Sequence, residues 1–250
     1  SLCCQMIIQD RVGIPAEMVR KKELLSAVYG VYARWIERFP LACRMGCNAC
    51  CTQSVSMTSL EGEIILDFVK GTGRGKWLLA KLAGVSPGKS RERITTNQFA
   101  GACLNHQEVD RETMGGWDFT PCVFLEANIC SIYEARPFGC RSFGSFVQCT
   151  ADSAAQMAPI HLAVNTVFTQ IIEHVNSDGG YCSAMTDILH SLVNSPICNE
   201  KEHLLPAQPV PGFLLEPHEI KVVQALFLQL GGQYSDKGMF GDLIDNFMPI

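Results

Sequence analysis

The 250-residue sequence has no apolar run long enough to cross a bilayer, no excess of positive charge, no internal repeat and no low-complexity tract. Its 20 basic residues face 25 acidic ones, giving a net charge of -5. No global field therefore draws nucleic acid or an anionic membrane, and nucleic acid is not expected as a partner. Asp10 and Arg11 interrupt Leu2 to Ile8 too early for a signal-peptide core. No Cys-x-x-Cys-His occurs, which excludes covalent c-type haem, and no Ser-His-Asp order or paired-carboxylate motif stands out. GTGRGK at 71–76 follows a helix and lacks P-loop spacing, so it reads as a helix end and connection. A secreted disulfide scaffold is usually short, exported and even in cysteine number. This chain is long, reads as unexported and has 13 cysteines, so reduced thiols and a cytoplasmic location are expected.

What is abundant is cysteine in two blocks. Cys43, Cys47, Cys50 and Cys51 form the first, and Cys122, Cys130, Cys140 and Cys149 the second. Thiolates separated by a few residues suit a soft metal or an iron–sulfur cluster, because short loops can turn several sulfurs to one centre. Adjacent side chains normally diverge, so Cys50 and Cys51 do not easily share one ion. Eight thiols suffice for two fully ligated centres or for one cluster with spare thiols. Zinc is the inorganic rival. Cys47-Asn-Ala-Cys50 read as a redox pair would need neither Cys43 nor Cys51, and it lacks a βαβ setting. Arg136 and Arg141 flank Cys140, where guanidinium charge would favour a negative thiolate cluster and raise its reduction potential; they are the expected cofactor-binding residues. Tyr133 and Phe138 would shield such a site from water. Cys103 with His106 is a supplementary metal pair, while Cys3, Cys4, Cys182 and Cys198 read as packing residues.

Around the blocks the periodicity is helical. Met18, Leu24, Leu25, Val28, Val31, Tyr32, Trp35 and Ile36 predict a helix from Pro15 to Phe39, and Thr58 with Glu61 reads as a capping box. Further helices are expected over 160–175, 184–193 and 217–230, carrying His161, His174 and His190. Loop with a short strand is expected over 99–119, and a hairpin around Asn128. From Lys70 to Arg93 the chain carries seven cations against Glu92 alone, the one stretch basic enough for an anionic partner. The expected fold is mostly α, with a small irregular cysteine-rich metal-binding centre and a short β-hairpin. It is read as a single domain over 1–250, with 40–150 as the cysteine-rich core and 1–39 and 151–250 as helical flanks.

Cys43-x-x-x-Cys47-x-x-Cys50 is similar to the three-cysteine signature of radical S-adenosylmethionine enzymes. Ala49, however, stands where those enzymes usually carry an aromatic, and no alternation of strands and helices follows. With Cys51, Cys122-Val-Phe-Leu and Cys130-Ser-Ile-Tyr-Glu-Ala-Arg-Pro-Phe-Gly-Cys140-Arg-Ser-Phe, the chain resembles the YkgJ-type CxxxCxxCC proteins, a zinc- or iron-chelating family that shares its cysteine pattern with the flagellin lysine N-methylases. Val123 and Gly144 stand where members often have proline, which bears on loop shape and touches no ligand. The resemblance runs from Cys43 to Cys149. It implies an iron–sulfur cluster, with zinc as the alternative, and either redox or S-adenosylmethionine-dependent, methylase-like modification of a protein or small-molecule substrate. The alternative to catalysis is a zinc-chelating structural or metal-handling role.

Overall fold

The computed structural model describes residues 15–86, 93–110, 118–150, 153–193 and 203–233. Cys3, Cys4, Cys198, Lys89 and Arg91 lie outside the described residues. The first helix, α1 (Ala16–Ile36), follows Pro15 and buries Leu24, Leu25, Val28, Val31, Tyr32 and Trp35, the apolar stripe that its sequence spacing demands. These side chains form one core with α6 (Pro159–Val175) and α8 (Pro217–Gln233). Each fully buried leucine or valine of this stripe contributes about 1.5–3 kcal/mol. The helical flanks thus close on each other.

A second core lies under the cysteine-rich segment. It joins α2 (Ser59–Gly71), α3 (Gly75–Ala83), the hairpin of β2 (Leu125–Glu126) and β3 (Ile129–Cys130), and α7 (Met185–Leu192). Helix α2 links the two, giving Leu60 to the first and Ile65, Leu66 and Val69 to the second. Its start is the expected capping box: the Thr58 hydroxyl accepts from Glu61 N–H, and Glu61 accepts from Thr58 N–H. The turn between β2 and β3 has positive φ at Ala127 (47°) and Asn128 (65°), the two-residue loop that suits the twist of a hairpin.

Three elements depart from the sequence reading. The segment expected as loop over 99–119 begins inside a helix, α4 (Thr96–Leu104), capped by Thr95 and Gln98. The basic stretch holds α3, and two of its cations are engaged: Arg74 donates to Ser131 C=O at 2.8 Å and stacks on Trp77, while Lys81 pairs with Glu126 at 2.8 Å. A three-stranded antiparallel sheet orders β1 (Ser56–Thr58), β4 (Tyr181–Ala184) and β5 (Leu205–Pro206). Because β1 pairs with β4, the 40–150 segment is tied into the C-terminal flank. Among the described residues no helix is long and apolar enough to cross a membrane.

Candidate metal centre

Backbone hydrogen bonds bring the two cysteine blocks together. Ala42 N–H donates to Ser145 C=O at 2.7 Å, Cys122 N–H to Cys51 C=O at 3.0 Å and Gln53 N–H to Thr120 C=O at 2.9 Å. The Asn48 side-chain amide donates to Asn128 Oδ1 at 2.8 Å. Within the first block, tight turns close through Cys47 N–H to Arg44 C=O and Cys51 N–H to Asn48 C=O. Gly46 sits there at φ 88°, a conformation that glycine adopts without strain. In the second block Cys130 faces Leu125 across the hairpin, and Cys140 rides on the short helix α5 (Phe138–Ser142).

The result is a cavity of about 180 Å³ lined by Cys43, Cys47, Cys50, Cys51, Cys122, Cys130 and Cys140, with Tyr133, Arg136 and Arg141 among its other walls. Cys149 is not part of this lining, yet it is close enough to Cys43 for its charge to push that thiol up. All ten cysteines among the described residues are free. The sulfurs share the cavity without converging: among the described residues no three His, Cys, Asp or Glu side chains form a group that could hold a metal ion.

Burial shapes the protonation of the chamber. It pushes the Cys122 thiol up to about 11 and raises Cys43, Cys130 and Cys140 as well. Cys50 and Cys51 do not diverge as neighbours usually do. The interaction between their side chains raises the Cys50 thiol and lowers that of Cys51. Arg136 opposes the accumulation of negative charge, since its field lowers Cys50, Cys130 and Cys140.

The two arginines differ in what holds them. Arg141 donates to Arg136 C=O at 2.7 Å and Glu134 C=O at 2.6 Å and stacks 4.7 Å above Tyr29, so most of its guanidinium is committed to the loop. Arg136 lies 3.6 Å over the Tyr133 ring, and its buried Nε has no hydrogen-bond partner. Arg136 is one of the chamber's walls. Tyr133 is in the wall, as expected of a shielding aromatic. Phe138 is not: it packs on Tyr29, Tyr32 and Phe168 in the first core. Cys103 and His106, at the end of α4, and Cys182, in β4, are outside the chamber lining. So are His161 and His190, both fully buried, and His174.

Glu61 is a positioning residue that the sequence signalled only as a helix cap. Its carboxylate is buried and accepts from Thr58 N–H at 2.8 Å, Tyr29 O–H at 2.6 Å and Phe138 N–H at 2.6 Å. The last bond fixes the start of α5 and therefore Cys140. Behind α5 lies a larger cavity of about 360 Å³, with Met57, Phe138, Gly139 and Glu173 in its lining. Gly139 lets α5 lie close to β1, because a Cβ there would stand 3.1 Å from Ser56 O and 3.2 Å from Val55 Cγ1. Gly139→Ala is expected to push α5 outward and cost about 1–3 kcal/mol, seen as a lower urea midpoint. An unchanged midpoint would mean that this wall yields freely.

Comparison of the chain with family models, curated proteins and solved structures finds no match.

Proposed function

We propose that the chain is a metal-binding protein whose two cysteine blocks hold an iron–sulfur cluster. The observation that carries this reading is the gathering of seven cysteines, drawn from both blocks, around one cavity of about 180 Å³. Thiolates are the usual protein ligands of such clusters, and the donors here are of the right softness and number. The buried, unpartnered Arg136 Nε is the second fitting feature. A guanidinium beside a negative cluster would offset its charge and raise its reduction potential. When bound, the cluster supplies electron transfer. The chain supplies the ligands, the positive charge of Arg136 and the Tyr133 ring that limits water. The motif resemblance to the CxxxCxxCC proteins points the same way.

A zinc-holding structural or metal-handling role is the second reading. It is favoured by the supply of four cysteines in each block, the number that closes a structural zinc site. Purification without oxygen, followed by an absorption spectrum and assays for iron, sulfide and zinc, separates the two. A coloured protein with iron and acid-labile sulfide is expected. A colourless protein with stoichiometric zinc would sink the cluster and establish the second reading. An S-adenosylmethionine-dependent modifying reaction further requires an iron without a cysteine ligand. Its test is saturable S-adenosylmethionine binding that perturbs the cluster's electron paramagnetic resonance spectrum.

A further inference from the structure

The order of cysteines along the chain suggests one obvious division, four in each block. The fold divides them differently. Cys51 is drawn to the second block by the Cys122 N–H to Cys51 C=O bond and by the bridge between Thr52 and Pro121. Cys122 and Cys130 pack together on the second core, and Cys122 C=O accepts from Leu125 N–H, directly opposite Cys130. The Ala42–Ser145 bond joins the segment that leads into Cys43 to the segment that leads to Cys149. Electrostatic neighbourhood agrees for Cys43 and Cys51, while Cys50, whose own charge neighbours are Cys51 and Arg136, stands between the two groups. Cys43 feels Cys47, Cys50 and Cys149. Cys51 feels Cys122, Cys140 and Cys130 in addition to its neighbour Cys50, and Cys140 feels Cys122 and Cys130 ahead of Cys50.

We infer that the eight thiols form two adjoining four-sulfur metal sites, one of Cys43, Cys47, Cys50 and Cys149 and the other of Cys51, Cys122, Cys130 and Cys140. The two blocks exchange one cysteine each, and the sites meet at the Cys50–Cys51 peptide. This rests on the metal-binding reading of the chamber, and each site offers four thiolates, the number that ligates an iron–sulfur cluster or one soft tetrahedral ion. The chamber must close by side-chain rotation as metal enters, since the sulfurs are gathered but not convergent.

The division is tested on reduced, metal-free full-length chain titrated with cobalt(II) and, separately, with zinc, counting equivalents from thiolate–cobalt absorption and elemental analysis. Wild type is expected to take up two equivalents. The double variants Cys43→Ser/Cys149→Ser and Cys51→Ser/Cys122→Ser should each keep one, whereas Cys43→Ser/Cys51→Ser, with one change in each site, should keep none. Far-UV circular dichroism confirms that each variant is folded, and Cys103→Ser, outside the chamber, should retain both equivalents. Loss of both ions in Cys43→Ser/Cys149→Ser, with one retained in Cys43→Ser/Cys51→Ser, would establish the blockwise division instead. A single equivalent in wild type would mean one centre and overturn the inference alone. No uptake of either ion, with no iron or sulfide in anaerobically purified protein, would overturn the metal reading with it.

Discussion

Glu61→Ala is expected to destabilise the protein by about 4 kcal/mol, because each buried donor left unpaired costs roughly 1–3 kcal/mol. Four donors lose their acceptor at once: Thr58 N–H, the Thr58 hydroxyl, Tyr29 O–H and Phe138 N–H. Burial and the adjacent Glu61 carboxylate push the Tyr29 phenol well above its ordinary range, so that side chain stays a neutral donor and cannot adapt by ionising. Glu61 also joins elements distant in sequence, with Tyr29 on α1, Thr58 at the end of β1 and Phe138 at the start of α5. Its loss therefore acts on the chamber as well as on stability. With Phe138 N–H released, α5 loses its anchor and Cys140 becomes more exposed.

Two measurements check this together. The unfolding midpoint in urea should fall sharply in Glu61→Ala, and in the folded protein the alkylation rate of Cys140, followed by mass spectrometry, should rise. Glu61→Gln should fall between wild type and alanine, since an amide keeps one acceptor but turns N–H groups toward donors. A normal midpoint in Glu61→Ala would show that water replaces the carboxylate at little cost. Unchanged Cys140 alkylation with a reduced midpoint would confine Glu61 to stability.

The elements legible from sequence were those with strong local signals. Leu24, Leu25, Val28 and Val31 repeat at helical spacing, and all are buried in α1. Thr58 with Glu61 marks the start of α2 by side-chain chemistry that needs no tertiary context. Helix α4 carried the same kind of signal in Thr95 and Gln98, which the mixed polarity downstream obscured. Helix α3 was hidden because the stretch around it read by its charge, as a basic surface for an anionic partner, whereas Arg74 and Lys81 are tied to Ser131 and Glu126. The β1–β4–β5 sheet could not be read at all. Its strands are two to four residues long, and Ser56 pairs with Ala184, so neither a turn nor an alternating run announces the pairing. The same distinction governs the chamber. Cysteine spacing pointed to eight sulfurs, seven of which line the chamber, but the bonds from Ala42 to Ser145 and from Cys122 to Cys51 bring the two blocks together, and those are long-range.

Metal in this chamber is expected to raise the free energy of unfolding by about 4 kcal/mol when free metal stands 1,000-fold above its dissociation constant, and that gain should grow with pH. The reason lies in the buried thiols. Cys122 is pushed up to about 11, and Cys43, Cys130 and Cys140 are also raised, so in neutral solution the metal-free chamber holds these groups protonated. Ligation requires thiolate, and each proton displaced makes binding about tenfold tighter per pH unit. The metal-free protein responds with the opposite sign. A thiol raised in the fold contributes stability below its ordinary value of 9.0, and for Cys122 that contribution is lost as pH climbs through about 11. Melting curves with and without a chelator should therefore separate further as pH rises from about 6 to 8, and protons should appear in solution on metal addition. Cys51 departs from this pattern, because the interaction with the Cys50 side chain lowers it. It is lowered where Cys122 is raised, so Cys51→Ser is expected to slow metal uptake at neutral pH more than Cys122→Ser does. Chelator-independent melting across the whole pH range would mean that the thiols hold no metal. Equal uptake rates in the two variants would remove that distinction while leaving the rest of the chamber in place.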